Sequence, residues 1–581
     1  MNQLTPNAIK VLESRYLLKN SEGKFIETPQ QLFERVAKYL SKAELKYNNV
    51  AEAEKWEKIF YNMMSDLYFL PNSPTLMNAG ASLNQLSACF VLPVEDSLED
   101  IFTSLKNTAL IQQSGGGTGF NFSLLRHKGD FISTTTGNSS GPIAFMKIFN
   151  AATDNIKQGG KRRGANMGIL NVDHPDIEEF ITVKLEEGVL SNFNISVGIF
   201  NDFMKAVEED KLWELKDPNT KQTVKTISAK ELWSKITNNA WSSGDPGLVF
   251  LDTINAANPT PAIGKIMCTN PCGEVPLLPF EACNLGSIDV AKFFDIERKE
   301  FDWDHFADII KNSIRFLDNV IDMNTYVIPE IKELVQGNRK IGLGIMGWAD
   351  LLTKLEIPYA SEKALQFGED LMRFMQEKSD IASQELANER GVFKNWDKSI
   401  FAPNNKLRNA TRTSIAPTGT ISIIAGTSSS IEPHFALAIH RENVLNNESL
   451  FELNENFVSY LKEHHLYTEE IIEEVKKTGS IANTKLPAHV KELFKTSLEI
   501  EPHWHIMHQV AFQRHTDNAV SKTINLPEKA TIKDVNDAYF LAWKQKAKGV
   551  TVYRTGSKTS QVLNSGISQS ENQGSCKVCV S

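Results

Sequence analysis

The chain contains little cysteine, with only six in 581 residues. Secreted proteins that depend on disulfides are far richer in cysteine, so these six do not form a disulfide framework of that kind. Few, clustered cysteines instead favour redox or catalytic work in the cytoplasm. The chain also lacks an apolar run of the roughly 18 residues that a membrane-spanning helix needs. Residues 1–6 lack the basic and apolar regions of a signal peptide. We therefore expect a cytoplasmic protein with no membrane partner.

Positive charge is not in excess either. The formal net charge is −9 at pH 7, so we expect no nucleic-acid partner, and any anionic ligand must be met by local groups. The composition, 41% hydrophobic and 23% charged, is ordinary for a globular protein. The length suits several average domains or one very large one.

Residues 268–290 hold three of the six cysteines. Asn270, Cys272 and Glu274 alternate there, and neighbouring prolines disfavour helix. Alternate side chains of an extended backbone point the same way. We therefore predict an extended loop tip that directs an amide, a thiol and a carboxylate to one point. Such a set could hold a polar substrate, attack it and move a proton. The alternative is a turn with a buried thiol.

Helical patterns dominate residues 1–70. Thr28 suits an N-cap, Pro29 suits the first helical position, and apolar residues recur at helical spacing from Leu32 to Leu40. Beyond this region strands and helices alternate, which favours the α/β class. We expect a helical N-terminal region at 1–70, an α/β region at 71–556 and a flexible tail at 557–581.

The tail ends in a cysteine pair. Its Ser, Gly, Gln and Asn content indicates flexibility, and Cys576 and Cys579 form a Cys-x-x-Cys motif. One such motif is half of a four-cysteine zinc site, and the chain has no second pair. We favour thiol–disulfide exchange, for which a mobile dithiol is suited.

Four other segments carry weaker signals. The glycines at 115–119 predict a tight turn, since the P-loop pattern is absent. Three cations between glycines at 159–168 suit a phosphate or a purine ring, with a solvated basic loop as the alternative. The hydroxyls and glycine at 413–422 suit a phosphate. The histidines at 503, 505 and 508 are expected to be structural or on the surface, with a zinc site as the alternative.

Taken together, these features resemble the catalytic chain of ribonucleotide reductases, from residue 4 to about residue 557. Within that family the resemblance is greatest to the adenosylcobalamin-dependent class II. The motifs that carry it are Ser-Ala-Cys-Phe-Val-Leu-Pro-Val at 87–94, Gly-Gly-Gly-Thr-Gly-Phe-Asn-Phe at 115–122, Arg-Gly-Ala-Asn-Met-Gly at 163–168, Asn-Pro-Cys-Gly-Glu at 270–274 and Ala-Pro-Thr-Gly-Thr-Ile-Ser at 416–422.

The resemblance implies a fold and a radical reaction. The fold is a ten-stranded α/β barrel of two five-stranded halves, with Cys272 on a finger loop through its centre. A thiyl radical on Cys272 would take the 3′-hydrogen of the ribose, with Glu274 as base on the 3′-hydroxyl and Asn270 bound to the ribose hydroxyls. Abstraction of hydrogen from carbon needs a cofactor to generate the radical. That cofactor would be adenosylcobalamin, which carries cobalt, and we expect no metal ligand from the protein.

The resemblance also implies a path for electrons. Cys89 and Cys283 would supply them as the 2′-hydroxyl leaves as water, and would end as a disulfide. Cys576 and Cys579 would reduce that disulfide and then be reduced by thioredoxin or a glutaredoxin-like protein. Cys268 has no role in this scheme, and we expect a buried structural thiol.

Substrate and effector positions follow in the same way. The substrate is a ribonucleotide, expected to be a diphosphate, and the effector is a deoxynucleoside triphosphate or ATP bound at a homodimer interface. The substrate residues carried over are Ser73, Thr75, Ala88, Pro417, Thr418, Gly419, Thr420, Ile421 and Ser422. The effector residues carried over are Asp96, Gln113, Lys161, Arg162 and Arg163, with the loop at 161–168 expected to change state with the effector.

Two other functions are weighed against this one. Class I catalytic subunits receive their radical from a separate metal-containing subunit through adjacent tyrosines, whereas Tyr553 is followed here by Arg554. A nucleotide-binding sensor without catalysis would be expected to have lost at least one of the catalytic residues. All of them are present.

Overall fold

The structure is a computed structural model that describes residues 4–132, 136–158, 162–186, 188–445, 448–557 and 563–565. Three predicted functional residues, Lys161, Cys576 and Cys579, lie outside the described residues.

The predicted helical N-terminal region is confirmed. It contains the helices Pro6–Arg15, Pro29–Ser41 and Val50–Ser65. Thr28 caps the second of these helices in a capping box with Gln31, and a proline occupies the first turn. The apolar faces of these helices belong to the same hydrophobic core as the sheet that follows.

The remaining helices lie in the connections between the strands. They are Ser73–Asn78, Leu98–Gln113, Pro142–Asn155, Ile177–Thr182, Asn201–Glu208, Ala229–Ser243, Leu251–Ala256, Trp303–Met323, Pro329–Asn338, Trp348–Lys354, Glu362–Arg390, Ile421–Ala425, Glu455–Glu463, Glu469–Thr478, Ala488–Leu493, Pro502–Gln513 and Ile532–Lys544. Among the helices described, none is both long and apolar enough to cross a membrane.

Twelve strands form the main sheet and a hairpin inside it. In chain order they are β1 (Phe69–Pro71), β2 (Cys89–Val91), β3 (Gly117–Asn121), β4 (Asn166–Asn171), β5 (Phe193–Ile199), β6 (Gly247–Phe250), β7 (Cys268–Thr269), β8 (Pro276–Leu277), β9 (Ala282–Asp289), β10 (Ile341–Met346), β11 (Thr523–Leu526) and β12 (Gly549–Arg554). The other described β-structure consists of short two-residue strands and two longer peripheral hairpins, Leu212–Lys216 with Thr223–Ser228 and Ala438–Leu445 with Glu448–Leu453. The strand Leu563–Ser565 pairs with Ala438–Leu445 to extend the second hairpin.

The sheet is a ring made of two parallel halves. Strands β2, β3, β4, β5 and β6 are parallel neighbours in that order. In the other half, β9 is parallel to β10 and β11 to β12. Parallel bridges from Leu343 to Thr413 and from Ile415 to Val520 join β10 to β11 through residues 413–415. The halves meet antiparallel where β2 pairs β9 and β6 pairs β12. The predicted barrel of two five-stranded halves is therefore confirmed.

A hairpin, β7 paired with β8, passes through this ring beside the glycines of β3. A Cβ at position 119 would lie 1.8 Å from the carbonyl oxygen of Thr269, and one at position 117 would lie 3.0 Å from Pro271. The prediction of a tight turn at 115–119 is therefore wrong in part. Gly115, with φ +100°, turns the chain, but Gly117 and Gly119 are strand residues that make room for the hairpin backbone.

Substitution of Gly119 tests this close approach. We expect Gly119→Ala to lower the free energy of unfolding by about 2–4 kcal/mol, because backbone rather than a flexible side chain must move. Chemical denaturation measures the change. The control is Gly264→Ala, where the nearest atom, on Leu278, would be 3.5 Å from the new methyl group. Equal stability of the two variants would contradict the role given to Gly119.

Candidate active site

The tip of the hairpin is a closed turn. The side-chain oxygen of Asn270 accepts from the amide of Val275 at 3.0 Å, and the amide of Gly273 donates to the carbonyl of Asn270 at 3.1 Å. Gly273 has φ +83°, which glycine adopts at little cost. The predicted extended tip is thus wrong, because local hydrogen bonds at Asn270 fold it. Asn270, Cys272 and Glu274 nevertheless all line one cavity.

Both halves of the barrel hold this tip in place. From β5, the side-chain amide of Asn194 donates to the carbonyl of Pro271 at 2.9 Å. From the other half, the Ser414 hydroxyl and the Ala519 amide both donate to the carbonyl of Glu274 at 2.9 Å. The position of the tip therefore depends on the closed ring rather than on the hairpin alone.

Cys89 and Cys283 are brought together although they are far apart in sequence. They are direct cross-strand partners in the antiparallel pair of β2 and β9. Both are buried, and the structure holds both as free thiols. The Asn270 side-chain amide lies 3.1 Å from the Cys89 sulfur. This contact links the strand pair to the hairpin tip.

Burial sets the protonation of the site. It raises the pKa of the Cys89 thiol well above its usual value, with a further rise from Glu274. Burial likewise raises the pKa of the Cys283 thiol. The pKa of Glu274 rises by burial to about 7, and its Oε2 has no hydrogen-bond partner in the described part of the chain. The site thus holds neutral thiols beside a carboxyl group that can gain or lose a proton near neutral pH.

The cavity that these groups line has a volume of about 1980 Å³. This exceeds the roughly 300–1,000 Å³ of pockets that hold one small molecule. The predicted substrate residues that line it are Ser73, Ala88, Pro417, Thr418, Gly419, Thr420, Ile421 and Ser422. Thr75 differs from the prediction. It is fully buried, and its hydroxyl contacts Asn72 and the carbonyl of Leu86, so it supports the lining from behind.

The loop at 417–422 is fixed by its own chain and by the N-terminal helices. Thr418 has φ +55°, and its hydroxyl accepts from the amide of Ser430 at 2.7 Å. Arg15, which also lines the cavity, donates from Nη1 to the Thr420 hydroxyl at 3.3 Å. Sequence reasoning missed Arg15, because its partner lies 405 residues away and no local pattern marks it.

Two of the predicted effector residues, Asp96 and Gln113, lie outside the cavity. Asp96 accepts from the Arg126 amide at 3.0 Å and from its Nε at 2.8 Å, and also from Asn219. Gln113 is exposed at the end of the helix Leu98–Gln113. Asp96 and Gln113 are both absent from the described lining of the cavity.

Arg162 and Arg163 form a two-residue strand paired with Lys157–Gln158. The predicted loop at 161–168 is shorter than expected, since residues 166–168 belong to β4. The Asn166 side chain is held there by Gln112 and Thr118.

The remaining predicted motifs have structural contacts. His505 and His508 are buried, and their Nε2 atoms pair with the carbonyls of Ser497 and Tyr359. Burial lowers the pKa of His508 to about 3, so it is neutral. They are structural, as expected. Arg554 lies over the Trp241 ring at 4.2 Å and donates to its carbonyl at 2.9 Å.

The barrel encloses four thiols, an amide and a carboxyl group, a set that suits an enzyme working through thiol chemistry. Two family models match the chain: ribonucleotide reductase, all-alpha domain, over residues 2–84, and ribonucleotide reductase, barrel domain, over residues 87–407 and 403–553. The chain therefore belongs to the ribonucleotide reductase family.

Individual relatives agree with this assignment. The chain is 49% identical over 625 aligned residues to the vitamin B12-dependent ribonucleoside-diphosphate reductase of Thermoplasma acidophilum. The alignment covers 98% of this chain and 81% of the relative. Identity to the protein of the same name from Mycobacterium tuberculosis is 47%, over 97% of this chain and 81% of the relative. Among solved structures, the alpha subunit of the Actinobacillus ureae class Id ribonucleotide reductase superimposes with a TM-score of 0.77 at 26% identity, over 95% of this chain and 97% of that one.

The raised pKa of Glu274 predicts a pH-dependent effect on stability. The carboxyl group ionises at about 4.3 in the unfolded chain but only near 7 in the native state. The native state therefore binds the extra proton in this interval, and stability from this group falls as pH rises through it.

We expect Glu274→Gln to be more stable than the parent at pH 8 by about 3–4 kcal/mol and equally stable near pH 4. Denaturant unfolding across this pH range measures the difference, with the exposed Glu54→Gln as control. A stability difference that does not change with pH would refute the assigned protonation.

Proposed function

We propose that the protein reduces ribonucleoside diphosphates to 2′-deoxyribonucleotides for DNA synthesis in the cytoplasm, with adenosylcobalamin as cofactor. The observation that carries the proposal is the position of Cys272. It lies at the tip of a hairpin inside the barrel and lines the same cavity as Asn270, Glu274 and Cys89. The surrounding barrel limits the contact of a radical held there with bulk solvent, and the cavity leaves it open to substrate.

Three residues of the hairpin have different roles at the ribose. Cys272, as a thiyl radical, takes the 3′-hydrogen and later returns it. Glu274 removes the proton of the 3′-hydroxyl, for which a pKa near 7 is suited, since catalytic bases work best close to the operating pH. The Asn270 amide, already beside the Cys89 sulfur, hydrogen-bonds the ribose hydroxyls.

Cys89 and Cys283 supply the electrons. Their thiols are protonated by virtue of burial, so they deliver hydrogen to the substrate as the 2′-hydroxyl leaves as water. Their cross-strand pairing allows the sulfurs to join as a disulfide. Cys576 and Cys579 then reduce that disulfide, and thioredoxin or a glutaredoxin-like protein reduces them in turn.

The cavity fits adenosylcobalamin beside a nucleotide. Its volume leaves space after a nucleotide is bound, and Cys272 is partly exposed to it. Ser497 and Gln509 line it, and each has a buried side-chain oxygen without a hydrogen-bond partner in the described structure, so they could bind the amides of the cofactor. When bound, adenosylcobalamin supplies the radical by homolysis of its cobalt–carbon bond.

The relay expected of class I subunits is not supported. Tyr553 lines the cavity, but Arg554 stands where a second tyrosine is needed. The Arg554 guanidinium stacks on Trp241 and donates hydrogen bonds to backbone carbonyls, so this residue has a structural role. A non-catalytic sensor is not favoured either, since Cys89, Cys272, Glu274 and Cys283 are all in place.

The substrate phosphates bind the loop at 417–422. Its backbone and hydroxyls line the cavity, and Arg15 brings a cation to Thr420. This local charge is needed because the chain as a whole is acidic.

A deoxynucleoside triphosphate or ATP binds near Asp96 and Gln113 as effector, at the interface of a homodimer. The exposed apolar side chains of the helix Leu98–Gln113 support this interface. Leu98 is 65% exposed, Phe102 49% and Leu110 39%, a surface that a second copy would cover.

Anaerobic turnover tests the proposal. With a ribonucleoside diphosphate, a deoxynucleotide effector and dithiothreitol, we expect deoxynucleotide only when adenosylcobalamin is added. Cys272→Ala should abolish product, a loss of at least about 10⁴-fold, because no other group forms the radical. The matched control is Cys268→Ala, a buried thiol of the same hairpin, which should keep most activity.

Two results would contradict this account. Product from Cys272→Ala would exclude the assigned radical site. Product that requires a metal-loaded second subunit instead of the cobalamin would assign the chain to class I.

A further inference from the structure

A buried ion pair lies next to the reducing cysteines. The Lys340 ammonium donates to the Glu281 carboxylate at 2.6 Å, with both residues at most 2% exposed. Glu281 also accepts from the side chain of Asn338 at 2.5 Å and from the amide of Leu278 at 2.7 Å. Two buried charges are costly to keep unless their partners are well placed, and a hydrophobic pair could often replace them. Neither the hairpin chemistry nor the phosphate loop uses this pair.

Strand register places the pair at Cys283. β9 is parallel to β10, and its first paired residues are Asn284 and Ile341. The residues that precede them, Cys283 and Lys340, are therefore neighbours across the sheet. Glu281 lies two residues before Cys283, directly before β9 begins, and its ion pair with Lys340 keeps its carboxylate near Cys283.

The surroundings of the two thiols differ in charge. Burial raises the pKa of the Cys283 thiol most, and the next largest effect is that of Lys340, which lowers this pKa more strongly than either Glu281 or Glu274 raises it. For Cys89, the neighbouring Glu274, Cys283 and Cys272 all raise the pKa, and only the Asn270 amide opposes them. A negative charge is therefore held better on the Cys283 sulfur.

The sulfur that holds a negative charge less well, that of Cys89, is the more accessible of the two. Cys89 lines the large cavity, whereas Cys283 is not among the described residues that line it. A reductant that enters through the cavity therefore meets Cys89 first. Attack on one sulfur of a disulfide expels the other as a thiolate, and a better stabilised thiolate leaves faster.

We propose that the oxidised pair is reduced in one direction, with attack at Cys89 and departure at Cys283, and that Lys340 is the positioning residue that holds the charge of the departing Cys283 sulfur. The inference rests on the proposed function, in which turnover oxidises this pair.

The step balances with a thiol as reductant. A thiolate attacks the Cys89 sulfur, a new sulfur–sulfur bond forms there, and the electron pair of the broken bond goes to Cys283, which later takes a proton. A second thiolate attacks the bound reductant sulfur and releases Cys89, which takes the other proton. Two thiols become one disulfide, and the protein disulfide becomes two thiols.

The first test locates the mixed disulfide. The full chain, with Cys576→Ser and Cys579→Ser so that the tail cannot react, is oxidised by one anaerobic turnover without reductant or, separately, by diamide. A short pulse of 2-mercaptoethanol is followed by acid quench, alkylation and peptide mass spectrometry. We expect the mercaptoethanol adduct on Cys89 and the alkyl group on Cys283. The adduct on Cys283 would overturn the proposal.

The second test measures the rate at which 2-mercaptoethanol reduces the diamide-formed disulfide. We expect Lys340→Gln to be slower by about tenfold, because the leaving thiolate loses its cation. Lys340→Arg should retain a rate near that of the parent, and Glu281→Gln should be as fast or faster. The double variant Lys340→Gln/Glu281→Gln leaves no unpaired buried carboxylate and should be slow as well. An unchanged rate in the folded Lys340→Gln or double variant would overturn the role of Lys340.

The two oxidation routes separate this inference from the proposed function. If turnover yields product without a Cys89–Cys283 disulfide, the assigned electron source fails. If the disulfide forms but the adduct or the rates disagree, only the direction and the role of Lys340 fail.

Discussion

The structure depends on one close approach, in which the backbone of a hairpin passes through a closed barrel. Gly119 has no side chain at the point where the Thr269 carbonyl passes, and Gly344 leaves similar room for the backbone of Ser414. The hairpin tip is then bonded to both halves through Asn194 and Ser414. Because the ring fixes the tip from two sides, Cys272 and Glu274 keep their positions without a long rigid element of their own.

Burial produced by this arrangement determines the chemistry. Thiols that would partly ionise in water stay protonated, and a carboxyl group that would be fully ionised titrates near pH 7. One ion pair, Lys340 with Glu281, is placed where it makes the two reducing sulfurs unequal. The interior therefore holds protonated thiols and a titratable carboxyl group, and a few fixed charges determine which of these groups most readily loses a proton.

The family resemblance carried by short sequence motifs predicted the architecture, whereas local sequence patterns predicted the local geometry less well. The motif around Cys272 and the pairing of Cys89 with Cys283 could be predicted because short, specific motifs carry them. The turn predicted at 115–119 was partly wrong because Gly117 and Gly119 make room for the hairpin at Thr269 and Pro271. This contact joins segments far apart in sequence, and no local pattern reveals it. Arg15 and Lys340 were missed for the same reason, since only the folded chain brings them to the cavity and to Cys283.

The central claim, that Cys272 exchanges the 3′-hydrogen of the ribose, is tested most directly with a 3′-deuterated ribonucleoside diphosphate. With adenosylcobalamin and reductant present, the account predicts slower turnover than with the unlabelled substrate, and product that retains deuterium at the 3′-carbon because the same sulfur returns it. Glu274→Gln should reduce turnover without moving the label elsewhere. Product formed at the same rate from both substrates, or deuterium lost completely to solvent, would contradict the account.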